Sequence, residues 1–182
     1  MDVTPTPIDG LICFKPKRFQ DYRGFFTEVF RQSAFENAVG SQFEFVQENT
    51  SLTLKAGTIR GLHTQIPPHA QGKLIRCVSG KVFDVAVDIR HGSDTFGRWV
   101  GIELSAENGK QLWIPPGFLH GFCTMEPNSE VTYKCTAYYS PAHDRAVAWN
   151  DDQIGIDWPV KNPILSEKDL AAPKLNAVDF AF

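Results

Sequence analysis

Histidines, tyrosines and cations set into strand-like runs are the residues of this chain that could do chemistry. Across residues 57–90 (GTIRGLHTQIPPHAQGKLIRCVSGKVFDVAVDIR) Arg60, His63, Lys73 and Arg76 interrupt apolar runs. Charged side chains rarely enter a core unless they are paired or used on a ligand. His63, in GLHTQ, and His120, in PPGFLHGF, carry the side chain whose ordinary pKa, roughly 6.5, allows it to take and give a proton near neutral pH. Taken alone, either histidine also reads as a satisfied structural residue. Tyr133 and Tyr139 share one parity of the run 130–139 with Val131, Cys135 and Ala137, so both phenols are expected to point inward. They serve either as core aromatics or as a proton donor and a stacking platform. Arg23, Arg60, Lys73 and Arg76, basic residues within or beside these runs, read either as solvated surface charges or as part of a local basic cluster for one phosphorylated ligand. A metal site on the two histidines is disfavoured: the position two after His63 is Gln65, and no glutamate lies between Glu48 and Glu103.

The elements that must position these groups read as short strands. Runs at 11–15, 25–30, 43–54, 58–65, 73–78, 81–89, 98–105, 110–114, 118–125 and 130–139 are separated by Gly, Pro and Asn punctuation. Ser79-Gly80 reads as a two-residue hairpin, and the strands after it read as a meander. In the run 43–54, Phe43, Phe45, Gln47 and Asn49 share a face, so a face that begins in the core passes into a pocket. Arg60 and His63 have opposite parity; both enter one pocket only if Gly61 forms a bulge, which is the expectation. A short helix opens at a capping box, Ser33 to Glu36, and stops at Gly40. A second box, Ser166 to Asp169, makes Asp169 by itself a capping acid, and Trp149 and Trp158 anchor an irregular C-terminal extension. Many short strands with almost no helical periodicity predict an all-β jelly-roll barrel with short peripheral helices, as a single domain over 1–182.

Composition sets the broad class. The chain has 182 residues, 42% of them hydrophobic and 21% charged, which is globular rather than disordered. Its net charge of −3 gives no general attraction to nucleic acid or to an anionic membrane. No run is long enough to span a bilayer, and the first residues lack a secretory pattern. The four cysteines lie apart without a CxxC pair, as expected of reduced core thiols in a cytoplasmic protein.

Together the segments DYRGFFTEVF, QENTS, IRGLHTQ, KLIRCVSGKVFDVAVDIRHGSDTFGRW, QLWIPPGFLHGF, YKCTAYYSP, IDWP and LSEKDLAAP resemble, in order, the dTDP-4-dehydrorhamnose 3,5-epimerase family of the cupin superfamily. The resemblance implies a homodimer without metal or organic cofactor, acting in dTDP-L-rhamnose biosynthesis. The substrate would be dTDP-4-dehydro-6-deoxy-D-glucose, epimerised at carbons 3 and 5. By position it makes His63 the base, Tyr133 the acid and Asp169 the carboxylate behind the histidine. It makes Arg23, Glu28, Gln47, Asn49, Arg60, Lys73, His120 and Lys168 substrate contacts, and Tyr139 the ring that stacks on thymine. A further contact of the family is commonly a glutamate; here it is Asp144, one methylene shorter. The competing readings are a single-carbon epimerase or ketoisomerase on the same base, and a cupin that binds a sugar nucleotide without turning it over.

Overall fold

The structure, a computed structural model, describes residues 1–182. Its strands are β1 (Asp2–Pro5), β2 (Ile12–Lys15), β3 (Arg18–Asp21), β4 (Gly24–Thr27), β5 (Gln47–Thr53), β6 (Ile59–Gln65), β7 (Lys73–Ser79), β8 (Lys81–Asp88), β9 (Trp99–Ser105), β10 (Gln111–Ile114), β11 (Phe118–Thr124), β12 (Ser129–Cys135) and β13 (Asp144–Ala146); the helices are α1 (Gln32–Val39) and α2 (Glu167–Leu170). One sheet runs β1-β2-β10-β7-β12-β5, a second runs β13-β6-β11-β8-β9, and β3 and β4 pair apart from both. From β5 onward, successive strands mostly alternate between the two large sheets. This is the expected jelly roll, but it is not a meander.

The Ser79-Gly80 hairpin is likewise not formed. β7 and β8 belong to different sheets, and Gly80, at φ 68°, turns the chain from one to the other. A Cβ there would lie 2.5 Å from Ser129 Oγ, the hydroxyl that receives the Lys81 N–H, so the corner packs too tightly for a side chain.

Three apolar layers explain which residues lie where. Between the sheets, Ile75, Leu112 and Val131 meet Val82, Ala86, Leu104 and Phe122. On the outer face of the second sheet, Ile59, Val85, Val87 and Leu119 are covered by Val147, Ile154, Trp158, Leu175 and Phe180 of the C-terminal extension. β8 is therefore buried on both faces, which is why it reads as a nearly continuous apolar run. On the outer face of the first sheet, Phe14, Leu74 and Trp113 pack on Phe35 of α1, with Phe30, Phe43 and Phe45 around them. Trp158 donates its indole N–H to the Trp149 carbonyl, as befits the expected anchors.

Several boundaries shift. The N-terminal hairpin turns at Tyr22-Arg23 and β4 ends at Thr27, leaving Glu28 outside it. Arg31, not Ser33, precedes α1 and gives no side-chain cap, because the helix begins one residue before the serine. Gly40 closes α1 in the left-handed conformation, as expected. Phe43 and Phe45 leave the predicted strand to join the aromatic layer, so β5 begins at Gln47. β12 stops at Cys135, where the Gly72 N–H turns to the Thr136 hydroxyl at 2.8 Å rather than to its carbonyl, so Tyr139 lies beyond the strand and is exposed rather than inward. All four thiols are free, and burial pushes Cys77 and Cys123 up to about 11, which keeps them protonated and inert. No helix is long and apolar enough to cross a membrane.

Candidate active site

The site begins with a register shift in β6. On its partner β11, His120 and Phe122 are two apart and share a face; opposite them stand His63 and Arg60, which are three apart. The extra residue is the expected bulge, and it turns Arg60 and His63 to the same side, the interior, where Phe122 is buried. Gly61 has φ 111°, and a Cβ on it would lie 2.6 Å from both Gly121 Cα and the His120 carbonyl oxygen. Only glycine lets the strands approach this closely.

α2 brings a carboxylate to the bulge. The Ser166 hydroxyl accepts from the Asp169 N–H at 3.1 Å and donates to Asp169 Oδ2 at 2.9 Å, so the capping box holds the carboxyl group in place. Asp169 Oδ1 is then 2.6 Å from His63 Nε2, which leaves Nδ1 for the cavity. Burial pushes the Asp169 carboxyl up, but hydrogen bonds from His63 and Ser166 and the His63 charge outweigh it, holding it below the ordinary range.

The opposite wall is the first sheet. Tyr133 stands between Asn49 and Ile75, and Cys135 stands between Gln47 and Lys73. The two walls enclose a cavity of about 200 Å³ lined by His63, His120, Gln47, Asn49, Lys73 and Tyr133, with Tyr139, Asp144 and Lys168 also lining it. Burial raises the Tyr133 phenol against the opposing pull of Arg60 and Asn49, so it keeps its proton. Burial likewise lowers Lys73, against the negative charge of Asp144 and Asp84. The arrangement is thus an imidazole backed by a carboxylate, a protonated phenol on the other sheet, and a partly buried lysine beside them. Such a set can move a proton off one face of a small molecule and onto the other.

The model of the family described as dTDP-4-dehydrorhamnose 3,5-epimerase matches residues 5–177. The chain belongs to that family. Among curated relatives, the dTDP-4-dehydrorhamnose 3,5-epimerase of Shigella flexneri is 54% identical over 180 residues, covering 99% of each chain. Among solved structures, the Bacillus anthracis enzyme with TDP and PPi bound has a TM-score of 0.93 at 48% identity, covering 96% of this chain and 99% of its own. The Legionella pneumophila enzyme in complex with dTDP-4-keto-L-rhamnose has a TM-score of 0.93 at 46% identity, covering 98% of this chain and 94% of its own.

Not every residue expected at the site of this epimerase-family chain reaches it. Arg60 lies at the edge, with its Nε donating to Thr53 Oγ1 at 3.0 Å, although its charge is felt at Tyr133. Arg23 is engaged with Asp21 and Glu28 with Arg31, both exposed around the β3–β4 hairpin and absent from the cavity of their own chain. Asp144 accepts from Lys168 Nζ at 2.5 Å and from the Tyr139 hydroxyl at 3.1 Å, so these three form one cluster.

Sequence reasoning missed the amide contacts that hold this cluster. Gln65 donates to the His69 and Tyr138 carbonyls and accepts the Ser140 N–H at 2.6 Å, while Gln71 donates to the Ala137 carbonyl. Gln47 accepts the Tyr139 N–H at 2.9 Å. The amide two residues after His63, noted only as the wrong residue for a metal, therefore anchors the loop that carries Tyr139. Gln65, buried at the end of β6, carried the signal available, since a buried amide must find several partners.

Proposed function

We propose that the protein epimerises dTDP-4-dehydro-6-deoxy-D-glucose at carbons 3 and 5 to dTDP-4-dehydro-L-rhamnose, with His63 as base, Tyr133 as acid and Asp169 orienting the base. The observation that carries this reading is the cavity with a carboxylate-backed imidazole on one sheet and a protonated phenol on the other. Both reacting carbons neighbour a ketone. His63 Nδ1 removes a proton, the resulting charge rests on the ketone oxygen, and Tyr133 returns a proton to the opposite face, which inverts the carbon. Lys73 makes no hydrogen bond or ion pair within the chain, and with His120 it is the donor set for that oxygen. Positioned proton transfer supplies about 10² to 10⁴ in rate, so stabilisation of the enolate by these donors supplies much of the remainder. Gln47, Asn49, Asp144 and Lys168 are proposed sugar-nucleotide contacts, Arg60 a diphosphate contact, and Tyr139 the thymine platform. None of these steps draws on a metal or organic cofactor.

The proposed assembly is a homodimer in the cytoplasm. The hairpin exposes Phe19, Tyr22, Phe25 and Phe26, with Tyr22 95% accessible, a concentration of apolar surface that suits a second copy. In that assembly the hairpin's Arg23 and Glu28 serve the partner's cavity rather than their own.

The test is turnover of dTDP-4-dehydro-6-deoxy-D-glucose in D₂O with product analysis. Deuterium at both carbon 3 and carbon 5 of an L-rhamno product is expected. Exchange at one carbon alone would overturn the double epimerisation, and no exchange would overturn the activity.

A further inference from the structure

A second carboxylate stands behind the other cavity histidine. Asp84, on β8, is fully buried; β8 pairs with β11 so that Asp84 faces Phe122 and Ala86 faces His120, which puts Asp84 diagonally across from His120 on the interior face. Asp84 Oδ2 lies 2.9 Å from His120 Nε2, and Oδ1 has no partner. A carboxylate sealed from water costs free energy unless all its lone pairs are used, so a purely structural acid would be expected to satisfy both oxygens. His120 Nδ1, for its part, makes no hydrogen bond within the chain, and the ring lines the cavity.

We propose that Asp84 is a positioning residue for the reaction: its carboxylate holds a proton on His120 Nε2 and turns Nδ1 toward the substrate's ketone oxygen. The inference rests on the epimerase reading above. His120 donates to the oxygen from Nδ1 as the enolate forms, and the imidazolium required for that donation is stabilised by Asp84 at its back. Asp84 also acts at a distance on Lys73, whose ammonium burial disfavours and whose charge Asp84 helps to hold. The proton-abstracting and oxygen-stabilising imidazoles, which face each other directly across β6 and β11, thus each have a carboxylate of their own.

The test combines kinetics with a measurement on the unaltered protein. In Asp84→Asn, kcat for dTDP-4-dehydro-6-deoxy-D-glucose should fall about tenfold to a hundredfold, the loss of one charge-assisted hydrogen bond in the transition state, with KM and the affinity for dTDP unchanged. A variant with wild-type kcat, or one that loses KM and keeps kcat, overturns the proposal while wild-type turnover leaves the epimerase reading intact. Absence of wild-type turnover overturns the reading itself. Should the variant not fold, ¹⁵N spectra of wild-type His120 decide: a proton on Nε2 is expected, and a ring protonated on Nδ1 alone would make Nε2 an acceptor and exclude the proposed role.

Discussion

The two histidine–aspartate pairs of the cavity have similar geometry by different construction. Asp84 reaches His120 from an adjoining strand, and ladder register alone fixes their diagonal contact. Asp169 reaches His63 across 106 residues of sequence, from a four-residue helix that is held against the barrel. The first pair is as rigid as the sheet. The second depends on a cap, a short segment and one bridging hydrogen bond, and its histidine side chain remains 33% accessible. The buried, rigid pair suits a group that must wait motionless for charge to develop. The looser pair suits a base that must accept a proton and release it.

Three changes separate these constructions. The largest effect is expected for His63→Ala, which removes the proposed base and should lower kcat by roughly 10² to 10⁴ while leaving the His120–Asp84 pair in place. Turnover near that of the unaltered protein, measured by product formation, would reassign the base.

Asp169→Asn should cost about tenfold to a hundredfold in kcat and should also act on stability. Burial raises the Asp169 carboxyl, but its hydrogen bonds and the His63 charge win, and the folded value lies below the unfolded one. The carboxylate therefore contributes its full stabilisation above the ordinary value, about 4, and loses it as pH falls through the lower folded value. The Tm difference between wild type and Asp169→Asn should narrow as pH falls from 7 toward 3. A gap that stays constant would mean that the carboxylate's charge contributes nothing.

The smallest effect belongs to Ser166→Ala. Removing the cap should cost about 1 kcal/mol in thermal or denaturant unfolding and less than tenfold in kcat. A loss as large as that of Asp169→Asn would show that the serine hydroxyl, rather than the packing of α2, sets the carboxylate's position.

What could be read in advance follows the same division. Strand runs, the bulge at Gly61 and the Ser166 cap follow from local alternation and local hydrogen bonding, and all were legible. Which strand lies beside which was not, because alternation assigns a face and never a neighbour; hence the false hairpin at Ser79-Gly80. The parity of Asp84 was visible, but its meeting with His120 required the order β11-β8. Tyr139 was assigned inward by extending a strand four residues too far, past the point where the Gly72 N–H turns to the Thr136 hydroxyl. Asp169 was legible as a cap, and resemblance alone joined it to His63. Arg23 and Glu28 were also placed by resemblance, and neither lines the cavity of its own chain.

Gly61 has a companion. A Cβ on Gly121 would sit 2.9 Å from the Arg60 carbonyl oxygen and 3.1 Å from Leu62 Cδ2, so each glycine of the facing pair is blocked chiefly by backbone atoms, which no substitution removes. Changing one cannot make room for a change in the other. Every missense codon at either position adds a Cβ, so in a saturation library both columns should be empty and no double variant should restore them. The crossing of β6 and β11 is then a point where this sequence cannot drift, while the strands around it remain free to vary.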